Sequence, residues 1–277
     1  MMKRILALST RQRTILTITF AVILLAGLLT SSFFIGPEQL GINLQYEGNQ
    51  PSLAHPFGTD WLGRDMLART LKGLTLSLGV GLLAASISTV IALSLSLLAS
   101  VNKVLDAAVT WLIDLFLSVP HLVILILISF AAGGGVKGVV IGLALTHWPS
   151  LTRLLRGEML QVMNTNYVAV SRQLGKKGSW IAIHHVIPHL IPQLITGFIL
   201  LFPHAILHEA AITFLGFGLS PEQPAIGVIL SESMKYLSTG MWWLAFFPGL
   251  SLLIMVGLLE ILGRNVRRLL DPFHIEK

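Results

Sequence analysis

Six long apolar stretches constrain the fold of this chain more than any other feature. Each is long enough to approach or span a bilayer, which takes about 20 helical residues. Inside hydrocarbon every backbone polar group must be hydrogen-bonded within the chain, and a single segment achieves this only as a helix. The stretches cover about residues 15–35, 74–98, 105–132, 138–155, 190–215 and 241–262. The sequence therefore predicts an all-α, polytopic membrane protein with about six transmembrane helices.

Composition supports this fold class and excludes several chemistries. Only 12% of the residues are charged, whereas a soluble domain has roughly 25%. There is no cysteine, so a disulfide framework and thiolate metal ligation are excluded. The first apolar stretch follows basic residues, as in a signal peptide, but its length and the lack of a small-x-small cleavage site predict a retained span.

The distribution of positive charge predicts the orientation in the cell membrane. Lys and Arg are enriched in cytoplasmic segments of membrane proteins. All but five of the 19 Lys and Arg residues lie in the N-terminus, including Lys3 and Arg4, in the turn at Lys103, in the segment 153–177 or in the tail. We therefore expect a multi-pass protein with both termini and the 166–188 segment in the cytoplasm. This topology accounts for the basic charge balance, so no nucleic-acid partner is implied.

These observations divide the chain into four parts. We expect a cytoplasmic N-terminus and first transmembrane helix at 1–35, and an external segment at 36–73. A core of five transmembrane helices follows at 74–262, and a basic cytoplasmic tail occupies 263–277. We expect the transmembrane helices to be surrounded by the lipid bilayer.

The segment 166–188 is polar although it lies between apolar stretches. Its cationic and imidazole side chains exclude it from hydrocarbon, so it must face water or a partner protein. Gly175 is predicted to end a first short helix. Pro188 is predicted to mark the end of a second amphipathic turn. The simplest alternative is a basic loop that only connects two spans.

Within this segment, the spacing of Ala169-Val170-Ser171, Gly175 and Ile187-Pro188 resembles the cytoplasmic EAA loop of ABC importer permeases. The acidic residue and both alanines of that motif are replaced here. In that family the loop is a coupling helix that docks on a separate ATP-hydrolysing subunit. The resemblance implies coupling roles for Tyr167, Ala169, Val170, Ser171, Arg172, Gly175, Lys176, Ile187 and Pro188.

Two further motifs narrow the resemblance to one class of permease subunit. The stretch HPFGTDWLGRDMLAR, residues 55–69, is similar to the GTDxxGRD signature of C-type permeases from dipeptide, oligopeptide and nickel importers. The stretch FLGFGLSPEQPAIGVIL, residues 214–230, resembles a second signature of these permeases, with Ala225 and Ile226 in place of the usual Ser and Trp. The chain is thus identified as similar to a C-type subunit with the type I ABC importer permease fold. The first signature predicts a structural brace, with substrate contact as the alternative, formed by Gly58, Thr59, Asp60, Gly63, Arg64 and Asp65.

Polar residues within the predicted spans suggest a translocation path. They are His147, His204, His208 and Glu209. Such residues are costly in a membrane unless they face a cavity or one another. His204 and His208 share one helix face at i,i+4 spacing, and imidazole suits divalent transition metals, so these two are candidate transient metal ligands. Alternatively, the histidines make structural hydrogen bonds, for example to a carbonyl freed at Pro203.

The stretches 146–153 and 202–218 look more like nickel-type than peptide-type permeases. The predicted cargo is therefore nickel or another transition metal, possibly as a chelate, with a di- or oligopeptide as the alternative. Asp114 is interpreted as a helix-packing or gate hydrogen-bonding residue rather than a ligand.

The resemblance also implies the partners. They are a second, B-type permease in a heterodimer, two ABC ATPase subunits and an extracytoplasmic substrate-binding protein. The sequence has no GxxxxGK[ST] phosphate loop, so ATP and Mg²⁺ are expected on the partner subunits and no cofactor or catalytic residue on this chain. A proton-coupled secondary transporter and a membrane metalloenzyme are more remote alternatives, and no HExxH pattern supports the latter.

Overall fold

The computed structural model describes residues 10–270, and helices account for most of this range. Lys3, Arg4 and the tail beyond residue 270 lie outside the described residues. The helices are α1 (Thr10–Phe33), α2 (Pro37–Leu40), α3 (Met66–Ala99), α4 (Lys103–Ser118), α5 (His121–Ala131), α6 (Gly135–Met163), α7 (Asn166–Gln173), α8 (Gly178–Ile181), α9 (Ile187–Phe214), α10 (Ile226–Met234) and α11 (Trp243–Leu270). No strand occurs between residues 10 and 270, which confirms the all-α prediction.

Several helices meet the requirements for crossing a membrane. By length and composition these are α1, α3, α11 and a continuous helix from Gly178 to Phe214, and α4 with α5 provides a fifth candidate if the bent pair is one span. The count is thus four or five instead of about six. The remaining predicted stretch, 138–155, lies within α6, where Thr146, His147 and other polar residues lower the mean hydropathy.

A sharp bend separates α4 from α5 and changes the course of the third predicted stretch. The two helices meet at 99°. Pro120 has no backbone N–H, and its ring disfavours a helical conformation of the preceding residue. Val119 is accordingly extended, with φ −95° and ψ 139°. Helix α5 therefore starts anew at His121 and packs against α6.

The centre of the fold consists of α3, α6 and α9, which pack on one another. The hydroxyl of Ser88 on α3 donates a 3.0 Å hydrogen bond to the carbonyl of Ala144 on α6. A buried apolar cluster joins α3 and α9 to α10 and α11 and includes Leu74, Ile206, Ile226, Trp243 and Met255. The packing of these helices sets the rotation of α6 and α9 about their own axes, and hence the direction in which their polar side chains point.

The segment 216–240, which connects the last two predicted spans, contains the short helix α10, which packs against α9 and α11. A Cβ atom at Gly227 would lie 2.5 Å from the carbonyl oxygen of Ala210 and 2.6 Å from Cβ of Thr213. Both distances are below van der Waals contact, and the carbonyl belongs to the backbone of α9. Only glycine fits at this crossing.

Gly227→Ala is therefore expected to destabilise the protein by about 1–3 kcal/mol, the usual cost of overpacking. The melting temperature of the detergent-solubilised complex measures this. Gly257→Ala is the matched control, because Gly257 is also helical but has no atom within 4 Å of the position that a Cβ atom would occupy. Alanine there is expected to leave the melting temperature unchanged or raise it. Equal effects of the two substitutions would contradict the close packing of α10 on α9.

Candidate functional site

A buried ion-pair network connects the 55–69 segment to α10. Asp60 is fully buried and accepts hydrogen bonds from Nε of Arg64 and Nη1 of Arg69, both at 2.7 Å. It also accepts the backbone N–H groups of Leu62 and Arg64 at 2.9 Å. Nη2 of Arg69 donates to Glu232 on α10 at 2.8 Å. A buried carboxylate is tolerated when it is paired and fully hydrogen-bonded, as Asp60 is here.

The rest of the motif surrounds this network. Asp65 caps α3 by accepting the backbone N–H of Ala68 at 2.8 Å. The carbonyl of Thr59 accepts Nε1–H of Trp243 at 3.1 Å. Gly58 and Gly63 form the intervening turns. The structure thus brings the six motif residues together and adds Glu232, which the sequence analysis did not identify because it lies far along the chain.

The 166–188 segment begins with α7, which ends as the sequence predicts. Gly175 has a left-handed φ of +76°. This conformation lets the backbone N–H of Lys176 donate to the carbonyl of Ser171 at 3.1 Å, the usual way in which a glycine terminates a helix. Nothing lies within 4 Å of the Cβ position of Gly175, so the backbone conformation alone requires glycine.

The prediction that Pro188 ends the second turn is wrong. Helix α8 continues through a π-helical turn, Ala182–Val186, into α9. Pro188 lies in the first turn of α9. The wider π turn alters the backbone hydrogen-bonding register immediately before the proline, so its missing N–H and its ring are accommodated without a break.

One face of α7 and its C-terminus exposes three apolar side chains, and we call it the α7 surface. Tyr167, Val170 and Leu174 are exposed to 46%, 52% and 72%. Val168, on the opposite side of the helix, is fully buried and anchors α7 to the protein. Large apolar groups grouped on a water-facing segment are typical of a protein interface.

The other predicted coupling residues lie around the α7 surface. Ser171 is largely buried and its hydroxyl is 2.9 Å from Nε2 of His185, which connects α7 to the π turn. Lys176 lies with its Nζ 4.8 Å from the ring centre of Trp180, a cation–π contact. The exposed members are Ala169, Arg172, Gly175 and Pro188, and Ile187 is half-buried.

A cluster of three histidines is formed by His121 at the start of α5, His147 on α6 and His208 on α9. We call it the histidine trio. The ring centres are separated by 4.7 Å between His121 and His147, 4.4 Å between His121 and His208, and 5.2 Å between His147 and His208. One nitrogen from each ring lies within 4.8 Å of the other two. Three helices from separate parts of the chain thus converge on one group of imidazoles.

This cluster differs from the predicted pair of His204 and His208. His204 is exposed and is not part of the histidine trio. His121 was not predicted from the sequence; it is the first residue of the helix that follows the bend at Pro120. His147 and His208 were predicted and do meet.

Glu209 has a different environment. It is fully buried, and its two carboxylate oxygens accept hydrogen bonds from the hydroxyls of Ser77 at 2.6 Å and Thr213 at 2.9 Å. These contacts make Glu209 a link between α3 and α9. Asp114 accepts Nη2–H of Arg153 at 2.7 Å and so connects α4 with α6 through an exposed ion pair.

Comparison with known proteins supplies the wider context. Residues 77–273 match the family described as the binding-protein-dependent transport system inner membrane component. A putative peptide transport system permease protein from Brucella suis is 30% identical over 236 residues, covering 85% of this chain and 79% of that protein. The dipeptide transport system permease protein DppC of Bacillus subtilis is 31% identical, covering 86% of this chain and 75% of that protein. The di/tripeptide permease DppC of Pseudomonas aeruginosa is 35% identical, covering 78% of this chain and 71% of that protein.

A solved structure shares the fold. An inward-facing conformation of the MetNI methionine ABC transporter has a chain that superposes with a TM-score of 0.62, covering 74% of this chain and 98% of that one. The sequence identity is 18%, so this similarity concerns the fold alone. It agrees with the predicted ABC importer permease fold.

Proposed function

The chain belongs to the family of binding-protein-dependent transport system inner membrane components, and on that premise we propose that it forms half of the translocation path for short peptides. Membership makes it a multi-pass permease subunit of an ABC importer. The permeases of this family are generally non-catalytic and operate with ATPase, binding-protein and second permease partners. The cargo and the sites of contact are our proposals.

Peptide cargo rests on one observation, the similarity to permeases named for peptides. Three such relatives are 30–35% identical over most of their length. None of these names refers to nickel or another metal, so the comparisons support the peptide alternative over the predicted metal cargo.

We assign the α7 surface to contact with an ATPase subunit. Tyr167, Val170 and Leu174 provide its apolar centre, and the exposed Arg172 and Lys176 are available to acidic groups at its edge. ATP and Mg²⁺ bind to the partner subunits in this scheme. Closure of two ATPase subunits moves α7, and this movement switches the side on which the path between this chain and a B-type permease is open.

The same scheme requires one orientation of the chain in the membrane. Both termini and the 166–188 segment lie in the cytoplasm, and the 36–73 segment faces the binding protein outside. In this arrangement the Asp60 network serves as a brace for the external segment and the 74–262 region carries the helices of the path. The 263–277 tail completes the cytoplasmic side, and its last part, 271–277, lies outside the described residues.

The proposal is tested by uptake into cells that carry the full transporter or lack only this chain. We expect labelled di- and tripeptides to accumulate only when the chain is present and only when the ATPase subunits have intact phosphate loops. Radiolabelled nickel, with and without small chelators, is measured in parallel. Accumulation of nickel without peptide uptake would overturn the peptide proposal in favour of metal cargo. Uptake that is insensitive to the ATPase defect but abolished by a protonophore would favour a secondary transporter.

A further inference from the structure

The histidine trio contains unsatisfied imidazole groups, which need an explanation that peptide transport does not supply. Nε2 of His121 and Nε2 of His147 are buried and have no hydrogen-bond partner among the described residues. A buried polar group without a partner costs about 1–3 kcal/mol. The rings are therefore close together without satisfying one another by hydrogen bonds.

The protein orients one of these rings for ligation. Nδ1 of His147 is 2.9 Å from the carbonyl oxygen of Leu143 on the same helix. A carbonyl only accepts hydrogen bonds, so the proton must be on Nδ1 and the lone pair must be on Nε2. Fixing the tautomer through the second ring nitrogen is how proteins prepare histidine to bind a metal.

The other two rings are held by the packing of their helices. His121 is placed by the 99° bend between α4 and α5, and its helix packs on α6. His208 faces the same point from α9, one residue before Glu209, whose hydrogen bonds to Ser77 and Thr213 hold that part of α9. The trio is thus supported from outside and does not depend on a flexible loop.

We propose that His121, His147 and His208 form a binding site for a divalent transition metal ion such as Zn²⁺. Imidazole is a preferred ligand of zinc, copper and nickel, and three protein ligands leave a coordination position open for water or an exchangeable donor. No carboxylate belongs to the trio, so the bound ion keeps its positive charge. This favours reversible binding or an anionic fourth ligand.

The geometry requires only a small adjustment. Two nitrogens on a common tetrahedral ion with bonds of about 2.0–2.1 Å lie roughly 3.3 Å apart. The three nitrogens of the trio now lie within 4.8 Å of one another. With His147 held in place, a shift of up to about 1.5 Å at the nitrogens of His121 and His208 closes this difference, and side-chain rotation about χ1 and χ2 supplies it.

The test is direct metal binding, which does not depend on what the transporter carries. The assembled complex is purified through an affinity tag without histidine, placed in lipid nanodiscs, stripped with a chelator and titrated with Zn²⁺ against a chromogenic chelator. We expect the native complex to bind one more Zn²⁺ per copy of this chain than a complex with His121→Gln, His147→Gln and His208→Gln. Each single substitution should weaken zinc binding at least about tenfold. Loss of a residue that only supports a metal ligand already weakens binding about 10–100-fold, and loss of a ligand should cost no less.

His204→Gln is the matched control, because it removes a histidine one turn from His208 on the same helix but outside the trio. It is expected to leave zinc binding unchanged. X-ray absorption of zinc bound to the native complex should show three imidazole nitrogens at about 2.0–2.1 Å, and this readout needs no substitution. Equal zinc binding by the native and triple-substituted complexes, a stronger effect of His204→Gln than of His121→Gln, or an absorption spectrum without three imidazoles would each overturn the proposal. Peptide uptake by cells that carry the same variants reports separately on the proposed function.

Discussion

Asp60→Ala is expected to lower the stability of the assembled transporter by roughly 3–5 kcal/mol, the cost of removing one partner from a buried ion pair. Asp60 is fully buried and Arg69 is only 4% exposed, so the substitution leaves a buried guanidinium without one of its two carboxylates. It also removes the acceptor of the backbone N–H groups of Leu62 and Arg64. The melting temperature of the solubilised complex should fall by about 10 °C, given 2–4 °C per kcal/mol for a domain of this size.

An exposed ion pair of the same chain provides the control. Arg153 and Asp114 are joined at 2.7 Å, but their side chains are 57% and 61% exposed. An exposed pair of this kind contributes about 0–1 kcal/mol, so Asp114→Ala should hardly change the melting temperature. A loss of peptide uptake in Asp60→Ala with an unchanged melting temperature would show that Asp60 contacts the cargo and would overturn its role as a brace.

Val170→Asp is expected to reduce ATP-driven peptide uptake at least about tenfold, since burial of an unpaired carboxylate costs well over 1.4 kcal/mol. Val170 lies at the centre of the α7 surface and is 52% exposed. Its side chain therefore contributes little to the packing of this chain, and the variant should insert and fold normally. Uptake per transporter, with membrane levels measured by immunoblot, gives the result.

Asn166→Asp adds the same charge to the same helix without altering the apolar α7 surface. Asn166 is exposed at the start of α7, where a negative charge is favoured by the helix dipole. This control should transport at the native rate. ATPase subunits should co-purify normally with Asn166→Asp and poorly with Val170→Asp. Peptide uptake at the native rate by the Val170→Asp variant would contradict the assignment of the α7 surface to the ATPase contact.

The local features of the chain were predictable from neighbouring residues. Gly175 terminates α7 because the left-handed conformation that it adopts is a property of one residue and the turn before it. The 55–69 motif could be interpreted as a brace because Asp60, Arg64 and Asp65 are close in sequence. Its long-range partner Glu232 was not predictable, because the contact depends on how α10 packs beside α3.

The proline residues show where local rules become insufficient. Pro120 and Pro188 have the same backbone chemistry, yet the chain bends by 99° at the first and continues as helix through the second. A π turn precedes Pro188, and Val186 within it packs into a buried cluster with Ile181 and Leu190. Tertiary packing thus decided which proline ends a helix.

The sequence by itself determined the helical class, the membrane-spanning character and the family, because hydropathy over about 20 residues and motif spacing are properties of contiguous segments. Only the tertiary structure decided which histidines meet. Spacing along α9 favoured His204 with His208, but the rotation of α9 against α3 and α6 turns His204 outward, and the bend after α4 brings His121 to His147 and His208. Helix rotation and bending are set by packing between distant segments, and no local pattern contains that information.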